Sequence, residues 1–336
     1  MKSLVIGDVH FGCRSNNKTW LTSQIDFFDK QIIPNINENS YDNVIFLGDV
    51  FDIRYSTNTE VGIEVKKLFR KLANICKDIY IIAGNHDYYS PIEDFEEYNV
   101  YELVFGKEFT DVYSNIHFIQ NSYVRVEDVL MLPWYYTENN ERFTKVISEN
   151  KDVKIIYCHS DLSSWTEERV SMLSNKTVYA GHIHYPWEDK KHNLYNLGAC
   201  CSFNFNDVNQ KRYIYVIDNG EIESKIENIT TPLFKRFYNE EIFTLSELEF
   251  KNSIVQLCVS QSNINKARYI EHIKDIKSTY IDANIKVNII DDDIIEKIEG
   301  VKFDTNIEKY IKDNIPEHLS EKYELIKEQL KESENI

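Results

Sequence analysis

Cysteine pairs of the CxxC type and long apolar runs are both missing from this sequence. Its six cysteines, at positions 13, 76, 158, 200, 201 and 258, form no dense framework either, which predicts reduced thiols in a cytosolic compartment. No stretch approaches the roughly 20 apolar residues that a membrane helix needs, and the apolar start from Met1 to Ile6 is too short for a signal peptide. We therefore expect a cytoplasmic protein that has no membrane partner.

Positive charge is also scarce. The sequence has 38 lysines and arginines against 55 aspartates and glutamates, and its net charge is -17. Such acidity repels a polyanion unless charge is arranged locally, whereas a free-standing nucleic-acid-binding module is usually basic. Any contact with nucleic acid would have to come through bound cations, a local basic strip or a partner.

Strands and helices alternate in the first part of the chain. Apolar runs predict strands over residues 4–6, 44–47 and 79–83, and helical spacing fills residues 20–33 and 63–76 between them. This order predicts parallel strands with right-handed crossovers. After residue 115 the pattern is mostly of strands. We expect an α/β fold with two packed mixed sheets flanked by helices.

The end of the chain has a different pattern, and we place a boundary near Thr231-Pro232. Strand patterns over 253–259 and 285–290 enclose a helical pattern over 264–280. Further on, a capping-box pattern at Thr305 and an apolar stripe from Leu319 to Leu330 predict two helices. The predicted domains are a catalytic domain over residues 1–231, a small α+β domain over 232–300 and a helical tail over 301–336.

Polar motifs follow five of the predicted strands. Because the carboxyl ends of parallel strands meet in one crevice, side chains far apart in sequence can converge there. The motifs are Gly7-Asp8-Val9-His10, Gly48-Asp49-Val50-Phe51-Asp52, Gly84-Asn85-His86-Asp87, Cys158-His159 and Gly181-His182-Ile183-His184.

These residue types suit divalent metal ions. Imidazole, carboxylate and amide groups together favour manganese, iron or zinc over calcium. In Asp8-x-His10 and His182-x-His184, residues two apart on an extended segment point the same way. A carboxylate such as Asp49 can bridge two ions, and two ions roughly 3.5–4 Å apart are the arrangement used for in-line phosphoryl displacement. Each motif alone is a weak signal, but the ordered series points to a metal centre.

The other histidines and the paired cysteines have simpler explanations. We expect His117 to be structural and His192, His272 and His318 to lie on the surface. Adjacent cysteines chelate metals poorly, so Cys200-Cys201 is expected to be buried without a metal.

At its motifs the sequence resembles the calcineurin-like metallophosphoesterase superfamily over about the first 230 residues. Within it, the sequence looks most like the SbcCD-type nuclease subunits, which include recombination nucleases of large phages. Secondary matches are Leu132-Pro133-Trp134, Asn196-Leu197-Gly198-Ala199 and Thr231-Pro232-Leu233 followed by Arg236-Phe237. The resemblance implies the four-layer fold of that superfamily.

The resemblance also implies roles for single residues. Asp8, His10, Asp49 and His184 would hold one metal ion, and Asp49, Asn85, His159 and His182 a second. His86 would protonate or stabilise the leaving oxygen, and Asp52 would orient His86. The two divalent ions are expected to be manganese, with magnesium, iron or zinc as alternatives.

The function implied is a manganese-dependent DNA nuclease with 3′-5′ exonuclease and single-strand endonuclease activity. It would be the catalytic subunit, and a homodimer, in a recombination and repair complex with an SMC-like coiled-coil ATPase docked on the tail. Its location would be the cytoplasm, or the host cytoplasm if a phage encodes it. Arg14, Lys18 and Arg54 lie near metal motifs and are candidates for phosphate contacts.

Two other functions stay open. One is a phosphatase or a phosphodiesterase for nucleotides or other small molecules. Protein phosphatases of the superfamily have Arg directly after the second-motif Asp and Asn-His-Glu in the third motif, whereas this chain has Ile53 and Asp87 at those positions. The other is a non-catalytic scaffold that tethers DNA ends. The complete ligand set argues against it.

Overall fold

A computed structural model describes residues 1–52, 58–88, 99–281 and 284–291 of this protein. The chain forms two compact units. The first comprises Met1–Lys235 and Lys251–Ile254, and the second comprises Arg236–Phe250 and Val255–Ile336. The tail predicted over 301–336 lies outside the described residues, and the predicted division of the chain into three domains stays a prediction.

The first unit contains two six-stranded mixed sheets. In the first sheet, β1 to β4 are parallel neighbours and β11 and β12 are added antiparallel, in the order β12-β11-β1-β2-β3-β4. These strands are β1 Lys2–Ile6, β2 Asn43–Phe46, β3 Ile79–Ile82, β4 Ile116–Ile119, β11 Tyr213–Asp218 and β12 Glu221–Glu227.

The second sheet has a parallel centre with an antiparallel strand at each edge. Its order is β5-β6-β7-β8-β10-β9. The strands are β5 Val124–Val126, β6 Val129–Leu132, β7 Ile155–His159, β8 Thr177–Gly181, β9 Trp187–Asp189 and β10 Leu194–Asn196.

Side-chain alternation explains how these sheets are stacked. Val5 and Ile45 of the first sheet share a buried cluster with Met131 and Tyr157 of the second. The residues adjacent to these in each strand point the other way, so each sheet also packs against helices on its outer face. The expected fold, two packed mixed sheets between helical layers, is confirmed.

Helices cover both outer faces. Thr59–Ile75 buries Val61, Val65 and Leu68 against the first sheet, and Asn58 caps it by accepting from the backbone N–H of Glu60. The predicted helix over 20–33 is longer in the structure and contains a π-helical turn at Phe28–Ile32. Other α-helices among the described residues of this unit are Cys13–Asn16, Lys18–Phe27, Ile33–Glu38, Val100–Val104, Gly106–Val112, Trp134–Glu138, Asn140–Glu149 and Glu167–Ser171.

The smaller unit has its own core. A three-stranded sheet has the order β13 Leu233–Tyr238, β14 Ser253–Ser260, β15 Asn284–Ile290. The helix Ala267–Thr279 buries Tyr269, Ile273 and Ile276 in a cluster with residues of β14. The strand-helix-strand pattern predicted over 253–290 is confirmed, and β13 is an addition to it. The short helices here are Glu247–Phe250 and Gln261–Ile264.

Among the described residues, every helix is too short or too polar to cross a lipid bilayer.

Candidate metal centre

The five sequence motifs meet where the carboxyl ends of strands from both sheets come together. Three of them follow β1, β2 and β3 of the first sheet, and the other two lie at the ends of β7 and β8 of the second. The backbone joins the first two loops directly, because Asp49 O accepts from the N–H groups of Val9 at 3.2 Å and His10 at 2.9 Å. The predicted convergence of these motifs is therefore seen in the structure.

One group of donors consists of Asp8, His10 and His184, whose donor atoms lie within 4.8 Å of one another. His10 Nε2 is 3.1 Å from His184 Nε2, which in turn is 3.8 Å from Asp8 Oδ2. Asp8 is fully buried, and its two oxygens accept from the N–H of His182 at 3.1 Å each. At this distance one ring can donate its N–H to the other, and the two nitrogens lie with Asp8 Oδ2 where all three could hold one metal ion.

A second group consists of Asp49, His159 and His182, with Asn85 beside it. Asn85 Oδ1 lies 3.0 Å from His159 Nε2 and 2.8 Å from His182 Nδ1. The group again combines imidazole, amide and carboxylate donors, which fits manganese, iron or zinc.

Asp49 stands between the two groups. Its Oδ1 is 3.4 Å from His159 Nε2, and its Oδ2 is 3.6 Å from His10 Nε2. The N–H of His86 donates to Oδ1 at 2.8 Å, which fixes the carboxylate. One oxygen therefore faces each group, so Asp49 lies where it could serve both groups of donors.

Backbone contacts set which nitrogen of His159 faces the site. Its Nδ1 lies 2.7 Å from Leu47 O, and a carbonyl can only accept, so Nδ1 carries a proton and directs Nε2 inward. The buried hydroxyl of Thr137 donates to His159 O at 2.7 Å. Arg169 holds Thr137 by donating to its carbonyl oxygen. The sequence motifs gave no signal for Thr137 or Arg169.

His86 lies beside the first group, and Asp52 contacts it through the backbone. His86 Nδ1 donates to Asp52 O at 2.6 Å, so the nitrogen that can exchange a proton with a substrate is Nε2. The carboxylate of Asp52 lies 3.3 Å from His10 Nδ1 instead. Asp52 thus has contacts with both histidines, through different atoms.

The buried charges at the centre are strongly coupled. Burial opposes a charge on His10, but the contact with Asp52 and the carboxylates of Asp49 and Asp8 together raise its pKa to about 9. Burial also opposes a charge on His159, and Asp49 raises the pKa of His159 to about 9. Burial would raise the pKa of Asp49, yet the histidines around it hold that pKa well below its usual range. A bound cation would replace these protons, since metal ligands must be deprotonated.

The basic residues near the motifs are engaged in other contacts. Arg14 donates to Phe203 O at 3.0 Å and lies over the rings of Trp20 and Phe234. Lys18 pairs with Glu60 at 2.8 Å on the surface. Arg54 lies outside the described residues, so the suggested phosphate contacts stay predictions.

Apart from His272, the remaining histidines and cysteines lie as expected where they are described. His117 bonds to Asp78 and stacks on Tyr80, and His192 bonds to Asp189. His272 is half-buried against Ile242 O, rather than on the open surface, and His318 lies outside the described residues. The six cysteines have free thiols, and Cys200 and Cys201 are fully buried.

Comparisons with known proteins identify the family of this chain. The sequence profile described as calcineurin-like phosphoesterase matches residues 1–186. The chain is similar to exonuclease subunit 1 of Enterobacteria phage T4, with 21% identity over 93% of this chain and 92% of that protein. It is also similar to a subunit of the nuclease SbcCD of Staphylococcus epidermidis, with 24% identity over 96% of this chain and 95% of that protein. Since the family profile covers more than half of its 336 residues, the chain belongs to the calcineurin-like phosphoesterase family and is a metal-dependent phosphoesterase.

Proposed function

We propose that this protein is a manganese-dependent DNA nuclease with 3′-5′ exonuclease and single-strand endonuclease activity. The observation that carries the proposal is the pair of donor groups joined by Asp49, in a chain similar along most of its length to two proteins named as nuclease subunits.

The distances in the two groups support a ligand assignment. Asp8, His10, Asp49 and His184 would hold one ion, and Asp49, Asn85, His159 and His182 would hold the other. When bound there, two such ions would supply an activated water and would neutralise charge on the phosphate. The protein's own part is to fix the donors: Asp49 is held by the His86 N–H, and His159 by Leu47 O.

His86 supplies the proton that the leaving oxygen needs. Its Nδ1 is occupied by Asp52 O, so Nε2 is the atom that releases the proton. A positioned imidazole contributes roughly 10²–10⁴-fold to such a step. Asp52 orients this imidazole through its carbonyl oxygen.

The acidity of the chain favours a shared role with a partner. With a net charge of -17, the protein needs help to hold a long polyanion. We propose that an SMC-like coiled-coil ATPase supplies it in a recombination and repair complex, docked on residues 301–336, and that the nuclease is a homodimer. The sequence profile covers residues 1–186. We propose that residues 1–231 form the catalytic domain and that residues 232–300 form an accessory domain.

A substrate panel tests the activity. The purified chain is incubated with manganese and end-labelled linear DNA, circular single-stranded DNA, RNA, cyclic nucleotides or a phosphopeptide. We expect stepwise release of nucleotides from 3′ ends and nicking of the single-stranded circle. Asp49→Asn should abolish both, whereas His117→Ala, which changes a histidine bonded to Asp78, should abolish neither. Preferential hydrolysis of cyclic nucleotides or of the phosphopeptide would overturn the proposal.

A further inference from the structure

The loop that contains His184 is fixed through three successive carbonyl groups. Asn196 Nδ2 donates to Ile183 O and Tyr185 O, at 2.7 Å each. Between them, His184 O accepts from the N–H of Ala199 at 3.0 Å and from Nη1 of Arg212. Buried groups donate to all three carbonyl oxygens, and these bonds restrict the loop that contains His184 to one conformation.

Arg212 is an unusual residue to find in this position. Its side chain is only 1% exposed, and arginine is rarely fully buried unless it is paired. Nη2 lies 2.7 Å from Asp207 Oδ1, and Nε donates to Ser202 Oγ at 3.1 Å. The guanidinium therefore binds the backbone of His184 with one of its three nitrogens and uses the other two to hold itself in place. A buried pair that costs desolvation free energy contributes more to specific geometry than to stability.

The same ion pair reaches the first donor group by a second route. Asp207 Oδ2 accepts from the N–H of Phe203 at 2.7 Å, and Arg14 binds the carbonyl of Phe203 at 3.0 Å. The ring of Phe203, held at both ends of its residue, packs edge-on against His10 and His184, with centroid distances of 4.9 and 5.0 Å. The ion pair of Arg212 and Asp207 therefore supports both imidazoles of the first group. It does so through the carbonyl oxygen of His184 and through the ring of Phe203.

The second donor group is supported by different residues. His159 is held at Nδ1 by Leu47 O and at its own carbonyl by Thr137. We propose that Arg212, paired with Asp207, is a positioning residue for His184 and that it sets the metal affinity of the group Asp8, His10 and His184 alone. This inference rests on the ligand assignment of the proposed function.

Manganese binding to the whole chain, followed by calorimetry and electron paramagnetic resonance, tests the inference. The wild-type protein should bind two ions that give the spectrum of a magnetically coupled pair. In Arg212→Met the affinity for one ion should fall about 10- to 100-fold, the range found when groups behind a metal ligand are removed. The affinity for the other ion should stay the same, and the spectrum should become that of a single isolated ion. If the wild-type protein bound no pair of ions, the ligand assignment itself would be wrong, and that result is distinct from the one tested here.

Two further variants cover the case in which Arg212→Met, with Asp207 left unpaired, does not fold. The double variant Arg212→Met/Asp207→Asn removes both charges, and Arg212→Lys keeps the charge but lacks the planar fork that reaches three partners. The double variant should reproduce the fall in affinity for one ion, and Arg212→Lys should give a smaller fall in the same affinity. Circular dichroism identifies the folded variants.

Two controls separate positioning from general disruption. Lys176 is another buried cation that binds backbone carbonyls, those of Lys151 and Val153, at the start of β8 and so at the end opposite to His182. Lys176→Met should therefore leave both affinities unchanged. Adding Arg212→Met to a His184→Asn variant should cause no further loss at that site, because Arg212 then has no ligand to position, whereas adding His159→Asn to the Arg212 variant should weaken the binding of the other ion. Two unchanged affinities, or equal weakening of both ions, in a folded Arg212 variant would overturn the inference.

Discussion

The hydroxyl of Tyr101 donates a 2.8 Å hydrogen bond to Asp87 Oδ2, and both side chains are buried. The carboxylate also accepts from the N–H of Gly84 at 2.8 Å and from that of Phe51 at 3.1 Å. Asp87 therefore ties the loop after β2 to the loop after β3, which are the two loops that contain Asp49 and Asn85. Asp87 thus stabilises the arrangement of these two loops, although it is not one of the proposed metal ligands.

The first prediction concerns Asp87. Asp87→Ala should lower the free energy of unfolding by about 3 kcal/mol, because it leaves three buried donors without an acceptor. Tyr101→Phe removes one donor only and should cost about 1 kcal/mol. Urea unfolding of the metal-free protein measures both. A loss for Asp87→Ala no greater than that for Tyr101→Phe would show that the backbone bonds from Phe51 and Gly84 contribute nothing.

The second prediction concerns the glycine before Asn85. A methyl group on Gly84 would overlap Asp49 Oδ1 and the N of Asp49, and it would lie 2.8 Å from Cε1 of His159. Gly84→Ala should therefore weaken manganese binding by at least about tenfold, the scale seen when metal ligands are misplaced. Calorimetric titration with manganese measures the change.

Gly106→Ala is the matched control for that variant. Gly106 has a φ of +64°, and its added methyl group would meet no atom within 4 Å. The left-handed backbone should cost about 1 kcal/mol of stability and leave manganese binding unchanged. Equal loss of metal binding in the two variants would mean that the effect at Gly84 is one of stability alone.

The third prediction concerns metal removal. The carboxylates of Asp8, Asp49 and Asp52 all lie near His10, and bound cations would compensate their mutual repulsion. Manganese at 100 times its dissociation constant should stabilise the folded protein by about 2.7 kcal/mol for each site. Thermal unfolding with manganese and with a chelator measures the shift, and Asp49→Asn, which removes the bridging carboxylate, should reduce it. The same melting temperature under both conditions would contradict a metal centre formed by these residues.

The sequence pattern predicted the site residues at the ends of strands, but it did not predict the residues that hold those site residues in place. Asp8, Asp49 and His159 could be predicted because each directly follows or ends an apolar run, and parallel strands bring their carboxyl ends to one edge. Thr137 and Arg212 could not, because a single polar residue that bonds to a distant backbone carbonyl leaves no periodic signal. Their partners, the carbonyls of His159 and His184, lie 22 and 28 residues away along the chain.

The region after residue 115 shows the same limit at the level of helices. Its pattern predicts mainly strands, but the structure adds helices there, among them Trp134–Glu138 and Asn140–Glu149. The first has five residues and the second ten, which is too short for periodicity to compete with neighbouring strand signals. The first nevertheless positions Thr137 behind His159. The contact between Thr137 and His159 could not be predicted because the helix Trp134–Glu138, which contains Thr137, was not predicted.

The fourth prediction separates the two contacts of Asp52. Its carbonyl oxygen binds His86, and its carboxylate lies 3.3 Å from His10 Nδ1. Asp52→Asn leaves the carbonyl in place, so we expect weaker manganese binding through His10 and little direct effect on proton transfer by His86. At saturating manganese the rate of DNA cleavage should recover toward that of the wild type. A rate that stays low at every manganese concentration would assign the carboxylate to the chemical step.

The fifth prediction isolates the proton supplied by His86. On DNA, whose leaving group is a poor alkoxide, His86→Ala should lower the turnover number by about 10²–10⁴-fold. On the p-nitrophenyl ester of thymidine 5′-phosphate the loss should be small, because nitrophenolate leaves without a proton. Manganese affinity should stay near that of the wild type, since His86 contacts Asp49 through its backbone N–H, which alanine retains. Equal losses on the two substrates would remove His86 from leaving-group protonation and assign it instead to stabilising the phosphate in the transition state.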